Sequence, residues 1–146
     1  MISDAELDAI MTIMTDAFDP HWREAWTRRQ VAASLATSNT YHDLALRDGA
    51  PAGFTLVRAA PGEEELLLIG VRPAMRRTGV GRELVQDAIA SARARGADRL
   101  FLEMRVNNPA AQLYRAMDFK TIGRRTRYYT LANGERLDAI TYAREL

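Results

Sequence analysis

The chain contains no cysteine. Disulfides, thiolate metal sites and a cysteine nucleophile are therefore excluded together. Lys120 is its only lysine. A nucleotide-hydrolase loop of the type Gly-x-x-x-x-Gly-Lys-Ser/Thr is absent, and with it the lysine that such a loop places on a phosphate. No apolar run approaches the roughly 20 residues of a membrane span. Neither sign of charge dominates: the net charge is +1, so nothing global points to nucleic acid or a membrane surface. The first residues carry acids (Asp4, Glu6, Asp8) and no basic stretch, so no signal peptide is expected. His21 and His42 are isolated, and no metal constellation is expected. Repeats, low-complexity stretches and linkers are also missing. What remains is 146 residues, 47% hydrophobic and 27% charged. That composition fits a soluble protein with one domain, residues 1–146, long enough for a real core.

The stretch from Glu65 to Arg95 organises the rest. An apolar run, Leu66 to Val71, has strand length, and Pro73 stops it. A short loop rich in Arg and Gly follows: Arg76, Arg77, Thr78, Gly79, Val80, Gly81. The apolar positions then change period, to Val80, Leu84, Val85, Ala88, Ile89 and Ala92, one face of an amphipathic helix. Strand, Gly-rich basic loop and helix form an arrangement that holds phosphate. The first helical turn has free N–H groups and the positive end of the dipole. Glycine lets the backbone approach the ligand. A pyrophosphate site is expected at residues 76–82.

Read in order, Ser3 and Glu6 form a capping box that opens a helix with an apolar face of Leu7, Ile10, Met11, Met14 and Phe18. Pro20 ends it, and the irregular aromatic segment DPHWREAW follows. Thr27 and Gln30 form a second capping box, for a helix to about Thr37. Strands are expected at Tyr41–Arg47 and Ala52–Ala60, joined by Asp48-Gly49, and at Glu63–Val71. The helix from Gly79 runs to Arg95 and ends at Gly96. Strand Arg99–Val106 precedes a short helix with Asn108 as N-cap and Pro109 at its first position. Strands Phe119–Tyr129 and Leu137–Arg144 close the chain around the turn Asn133-Gly134. The order ααβββαβαββ is a mixed α/β domain, with a parallel crossover from Leu66 to Val106.

The motif Arg76-Arg77-Thr78-Gly79-Val80-Gly81 resembles the Arg/Gln-x-x-Gly-x-Gly/Ala signature of the GNAT acetyltransferases. The segment LEMRVNNPAAQLYRAMDFKTIGRRTRYY resembles the second conserved block of that superfamily. More narrowly it is similar to the bacterial ribosomal-protein-alanine N-acetyltransferases, as are the closing GERLDAITYAREL and the aromatic segment with Trp22. The resemblance implies a GNAT fold: a central mixed, mostly antiparallel sheet with a splayed parallel pair, flanked by helices. It implies acetyl-CoA as co-substrate, without a metal. The pyrophosphate would rest on the backbone N–H groups of Arg77 to Arg82, and the pantetheine arm would pair with Ile69, Gly70 and Val71. Asn108 would contact the coenzyme, and the strands after residues 71 and 105 would splay to admit the thioester.

Acetyl transfer needs a neutral amine, a polarised carbonyl and an acid for the leaving thiolate. An α-amino group has a pKa of about 8 and lysine about 10.4, so a lysine costs about 3 kcal/mol more to deprotonate at pH 7. A carboxylate is sufficient for an α-amine. Glu103 interrupts the apolar strand Leu100–Met104 and, by the resemblance, matches the general base. The alternative is a strand acid satisfied by an arginine such as Arg105. Tyr114 matches the general acid, against the alternative of an amphipathic core tyrosine. Asp118 stands where the family usually has glycine, and aspartate tolerates the left-handed cap required there. Arg76, Arg77 and Arg82 are plausible partners of a coenzyme phosphate or parts of a solvated face. Arg124, Arg125, Arg127, Tyr128 and Tyr129 read as a strand lining the acceptor groove rather than a nucleic-acid stripe. Trp22 and Tyr128 join it as acceptor-side residues. Glu63-Glu64-Glu65 reads as a solvated strand start, with Glu65 a candidate to hold a cationic acceptor N-terminus.

The expected activity is acetyl transfer from acetyl-CoA to a protein N-terminus, most simply a ribosomal-protein alanine, by direct attack in a ternary complex. A cytoplasmic enzyme, monomeric or weakly dimeric, is expected. A small-amine acetyltransferase and a non-catalytic CoA-binding module are the rivals.

Overall fold

The first two helices begin where their own side chains close the chain back on itself. In the computed structural model, which describes residues 2–146, Ser3 Oγ accepts from the Glu6 N–H and Glu6 returns a bond to the Ser3 N–H. Thr27 and Gln30 repeat the arrangement. Each such cap contributes about 1 kcal/mol. They open α1 (Asp4–Ala17) and α2 (Arg28–Leu35). The second helix stops two residues short of the expected Thr37, whose hydroxyl instead donates to the Ser34 carbonyl.

The strands are β1 (Thr40–Arg47), β2 (Ala50–Ala60), β3 (Glu63–Val71), β4 (Arg99–Arg105), β5 (Lys120–Thr130) and β6 (Arg136–Glu145). They form one sheet in the order β1-β2-β3-β4-β6-β5. Every neighbouring pair is antiparallel except β3 and β4, which are joined through α3 (Val80–Ala94) and run parallel. The short helix α4 (Ala111–Ala116) connects β4 to β5. This is the mixed, mostly antiparallel sheet expected from the resemblance.

Two sequence expectations shift at α4. The helix starts at Ala111, so neither Asn108 nor Pro109 holds a capping position. Asn108 Oδ1 instead accepts from the Ala110 N–H at 2.9 Å, closing a turn before the helix. The far end of α4 follows the expectation: Asp118 is left-handed, φ 68°, and the Phe119 N–H returns to the Tyr114 carbonyl at 3.0 Å.

The apolar side chains divide by sheet face. On one face Val85, Ala88 and Ile89 of α3 pack with Leu66, Leu100, Leu102 and Met104, and α4 adds Tyr114. On the other, Leu7, Ile10, Ile13 and Met14 of α1 cover Phe54, Leu56 and Leu68. Leu66 and Leu68 are two apart yet belong to opposite faces, which an unbroken strand forbids. The register explains it: Leu68 pairs with Leu56 and Leu66 with Val57, leaving Leu67 without a partner. This is a β-bulge, and a bulge bends its strand and re-aims the side chains beyond it.

Candidate active site

The bulge at Leu67 falls just past the last parallel pair. β3 and β4 pair only at Glu63–Arg99, Glu64–Leu100 and Glu65–Phe101. Beyond these the strands part, and the edges of β3 to Val71 and of β4 to Arg105 have no ladder partner across the gap. The opening therefore begins six residues earlier on β3 than the expected position after Val71. A bulge that turns β3 away from β4 supplies the physical reason.

The closed end of this gap is held by charge. Glu64 is 1% exposed and takes a two-point grip from Arg95, Nε at 2.8 Å and Nη2 at 2.7 Å. The Arg95 guanidinium also lies 4.0 Å over the Tyr41 ring. The reading of Glu63-Glu64-Glu65 as a solvated strand start is thus corrected for Glu64, whose burial is offset by bidentate pairing. Glu65 is at the same closed end, its carboxylate held by Arg58 Nη2 at 2.6 Å.

At the open end of β3 lies the basic loop. Pro73–Met75 forms a single 3-10 turn. Arg77 is left-handed at φ 62°, and the Thr78 hydroxyl donates to the Met75 carbonyl. Gly79 occupies the N-cap of α3 at φ 88°, a conformation that a side chain strains. Unlike α1 and α2, α3 has no side chain capping its first turn. The amides of Val80, Gly81 and Arg82 at its start keep the geometry of an anion site. Arg77, Thr78 and Arg82 are exposed around it. Arg76 behaves differently: its guanidinium donates to the Val71 carbonyl at 3.3 Å and the Ala17 carbonyl at 3.1 Å.

Glu103 stands on β4 within the unpaired stretch. Its side chain is 17% exposed, with Arg125 Nε 3.0 Å from Oε2 and the Thr141 hydroxyl donating at 3.3 Å. The arginine beside it is therefore Arg125, not Arg105. Arg105 is buried, with Nε on Glu24 at 3.2 Å, Nη1 on Asn107 at 2.7 Å, and its guanidinium 3.7 Å from the Trp22 ring centre. Trp22 thereby reaches β4 through a cation–π stack. Tyr114 is 2% exposed and packs edge-on against Phe119. Burial pushes its hydroxyl pKa well above the ordinary 10.

Tyr128 is half exposed and sits 5.0 Å from the Arg125 guanidinium. Its neighbour Tyr129 is also pushed up, first by burial and then by the charges of Glu103 and Glu24. The charges of two carboxylates from distant segments thus act on one phenol. The arrangement depends on a second bulge. Arg125 pairs with Ala139 and Tyr129 with Leu137, so three residues of β5 face Asp138 alone. The Asp138 carboxylate accepts from the Arg127 N–H at 2.8 Å and from Arg124 Nε at 2.6 Å. These bonds hold its carboxyl below the usual carboxylate range, the backbone bond most strongly.

The fold therefore brings Glu103, Tyr128 and, through Arg105, Trp22 to one side of the opening, and sets the loop amides at its end. Glu65 is left at the closed end. Sequence reasoning missed Glu24, Thr141 and Asp138. An acid interrupting an apolar strand singled out Glu103, and the same signal in LDAIT marks Asp138. Nothing local marks Glu24 or Thr141.

Residues 7–119 match the acetyltransferase (GNAT) family. Over 146 aligned residues the chain is 33% identical to the N-alpha-acetyltransferase RimI of Mycobacterium tuberculosis, covering 97% of this chain and 84% of that one. Over 98 residues it is 36% identical to the [ribosomal protein bS18]-alanine N-acetyltransferase of Escherichia coli, 66% of each chain. The crystal structure of the ribosomal-protein-S18-alanine N-acetyltransferase from Escherichia coli superposes with a TM-score of 0.87 at 28% identity, covering 99% of this chain and 90% of that one. The chain belongs to the GNAT family and is an acetyl-CoA-dependent N-acetyltransferase.

Proposed function

We propose that the acceptor is the N-terminal α-amino group of a protein, most simply the alanine of ribosomal protein bS18, on which the Escherichia coli relative acts by name. The observation carrying this reading is the setting of Glu103: a partly exposed carboxylate inside the parted stretch of β4, hydrogen-bonded and not enclosed by apolar side chains. Such a group suits an amine whose pKa is near 8, which needs little driving to lose its proton.

In this reading the coenzyme pyrophosphate rests on the amides of Arg77, Thr78, Gly79, Val80, Gly81 and Arg82. Its pantetheine arm adds along Ile69, Gly70 and Val71, with Asn108 on the far side. Glu103, directly or through water, takes a proton from the acceptor ammonium. The freed nitrogen attacks the thioester carbon, whose oxygen is polarised by the Val71 N–H. The C–S bond breaks, Tyr114 gives its hydroxyl proton to the leaving sulfur, and the nitrogen sheds its second proton through water, which restores the phenol. Burial keeps the hydroxyl proton on the phenol until the sulfur departs. Proton delivery is then further uphill than for an ordinary tyrosine, so it accompanies C–S cleavage and does not precede it. Arg125, Trp22, Tyr128 and Tyr129 face the acceptor, and Glu65, already held by Arg58, takes no part. The enzyme acts in the cytoplasm as a monomer or weak homodimer, without direct contact to nucleic acid or membrane.

The test is acetylation of a peptide array carrying free and blocked N-termini, with a panel of polyamines, aminoglycosides and amino acids, read by mass spectrometry. Acetylation of free N-terminal alanine peptides is expected. Modification only of internal lysines or small amines would overturn the acceptor class, and tight CoA binding with no transfer would favour the binding module.

A further inference from the structure

Helix α1 ends in a way its own sequence leaves incomplete. The last carbonyls of a helix have no partner within it and carry the negative end of the dipole. Lys or Arg in the last turn commonly answers this, and α1 has none there. The answer comes from across the molecule. Arg76 Nη2 donates to the Ala17 carbonyl at 3.1 Å, and Arg72 Nε donates to Asp16 Oδ2 at 3.0 Å. Both arginines follow β3 directly, one on each side of the turn Pro73–Met75. Arg76 holds the end of β3 as well, through the Val71 carbonyl at 3.3 Å, and its N–H is used by the Pro73 carbonyl.

The chain leaving α1 crosses the opening between the parted strands. Phe18 is extended, and Asp19 caps the short turn Pro20–Trp22 by accepting from the His21 N–H at 2.9 Å. Trp22 and Glu24 then fasten to Arg105 at the far end of β4. A third tie joins the His21 carbonyl to the Ala132 N–H at 3.1 Å. Residues 17–24 therefore form a strap. One end is fixed by the coenzyme loop, the other by β4 beside Glu103.

We propose that Arg76 is a positioning residue of the acceptor side, through which coenzyme binding orders the strap, and is not a ligand of the coenzyme phosphates. The proposal rests on the acetyl-CoA site and acceptor side described above. The Nε and Nη2 donors of Arg76 already serve two carbonyls at the junction of β3 and α1. Turning them to a phosphate leaves both carbonyls unanswered. An ordered loop holds Arg76 still, and a still Arg76 holds Ala17. By linkage the effect is reciprocal: whatever coenzyme binding does for acceptor affinity, the acceptor does for coenzyme affinity.

Two measurements test this on the intact chain. Hydrogen–deuterium exchange of residues 17–24 is followed with and without CoA, which requires no knowledge of the acceptor. CoA is expected to slow exchange there at least fivefold in the wild type, with most of that protection lost in Arg76→Ala. Titration calorimetry of Arg76→Ala is expected to give a CoA Kd within threefold of wild type, with the KM of any acetylated acceptor raised about tenfold. Asp16→Ala cuts the second tie without touching the loop and is expected to raise the acceptor KM by a smaller factor. If Arg76→Ala does not fold, Arg76→Lys keeps the charge, cannot span both carbonyls, and is expected to show the same split. A CoA Kd weakened more than tenfold with the acceptor KM unmoved would identify a phosphate ligand and overturn the proposal, as would absence of CoA protection in the wild-type strap. Failure to acetylate any N-terminal peptide, with CoA protection of the strap intact, would count against the acceptor reading alone.

Discussion

The two ends of the gap between β3 and β4 are built from the same two strands and do opposite things. At the closed end three residue pairs join the strands, and Glu64 and Arg95 form a buried two-point ion pair beneath them. At the open end the ladder is absent, and Glu103 stays partly exposed with an arginine that is itself mostly exposed. The closed end spends its charges on structure. The open end, in the proposed reading, keeps them available for chemistry. At the closed end both carboxylate oxygens of Glu64 are occupied by one guanidinium. At the open end Arg125 and the Thr141 hydroxyl both meet Oε2 of Glu103.

This contrast can be broken most forcefully at the open end. Glu103→Gln is expected to lower kcat by about 10²- to 10⁴-fold, the usual range for a lost general acid or base. Its melting temperature should barely move, because Arg125 is solvated without its partner and surface pairs contribute about 0–1 kcal/mol. Tyr114→Phe is expected to act in the same direction. Since burial holds the Tyr114 hydroxyl above 10, kcat should stay flat on its alkaline side up to pH 10. Wild-type turnover in both variants would remove the chemistry from this end altogether.

The closed end should respond inversely. Glu64→Ala strands the Arg95 guanidinium, and breaking a buried pair costs about 3–5 kcal/mol. Arg95 can turn partly to solvent, its side chain being 27% exposed, so the lower bound is expected, roughly 3 kcal/mol. That corresponds to a melting temperature lower by about 6–12 °C. The kcat of the folded fraction should remain near wild type. A large fall in kcat at unchanged stability would erase the distinction between the ends.

Between the two ends, Gly70 sharpens the comparison. A Cβ there lies 2.6 Å from Cε1 of the fully buried Phe54 ring and 3.1 Å from Cε1 of Phe18. Gly70→Ala is expected to cost about 1–3 kcal/mol in stability, and to weaken acetyl-CoA binding by shifting the β3 edge. Denaturant melts and coenzyme titration measure the two effects separately. A coenzyme Kd unchanged in a destabilised variant would show that the edge can shift without consequence.

The smallest effect lies away from the gap. Asp43 on β1 has its carboxyl pushed up, first by burial and then by the charge of Asp87 on α3. A carboxyl raised on folding contributes stability below its unfolded value, 3.8, and that stability is lost as pH rises through its folded value. Asp43→Asn should therefore melt slightly higher than wild type at pH 7 and at the same temperature below about pH 4. Thermal melts at the two pH values check the sign.

The strand, loop and helix proposed for the coenzyme were legible because they are contiguous. β3, its loop and α3 occupy one stretch, and each reports itself locally: an apolar run, a Gly-rich basic turn, a 3.6-residue period. The two capping boxes and the left-handed Asp118 were readable for the same reason. Asn108 misled because an Asn-Asn-Pro run serves an N-cap and a turn before the helix equally well, and the chain chose the turn. The side proposed for the acceptor is assembled from residues 22–24, 103–105, 124–129 and 138–141. A strand acid such as Glu103 announces itself by interrupting an apolar run. Its partner does not: Arg105 is the near neighbour on the same strand face, yet Glu24, Asn107 and Trp22 take its guanidinium, and Arg125 arrives through two strand pairings.

By itself the sequence determined the order of elements, the ends of the first two helices, the phosphate-type loop and the family. These depend on side chains within a few residues of one another, where spacing and propensity suffice. Tertiary structure alone decided where the strands part and which charges are buried. The run Leu66-Leu67-Leu68-Ile69 has no polar residue to mark its bulge. Leu67 is left over only because Val57 and Leu56 take the residues on either side of it. That one unpaired residue turns β3 from β4 and moves the opening six residues closer to Glu64 than the sequence implied. The roles of Glu64, Glu65 and Glu103 divide there, since burial and pairing are properties of neighbours that meet only when the sheet is formed.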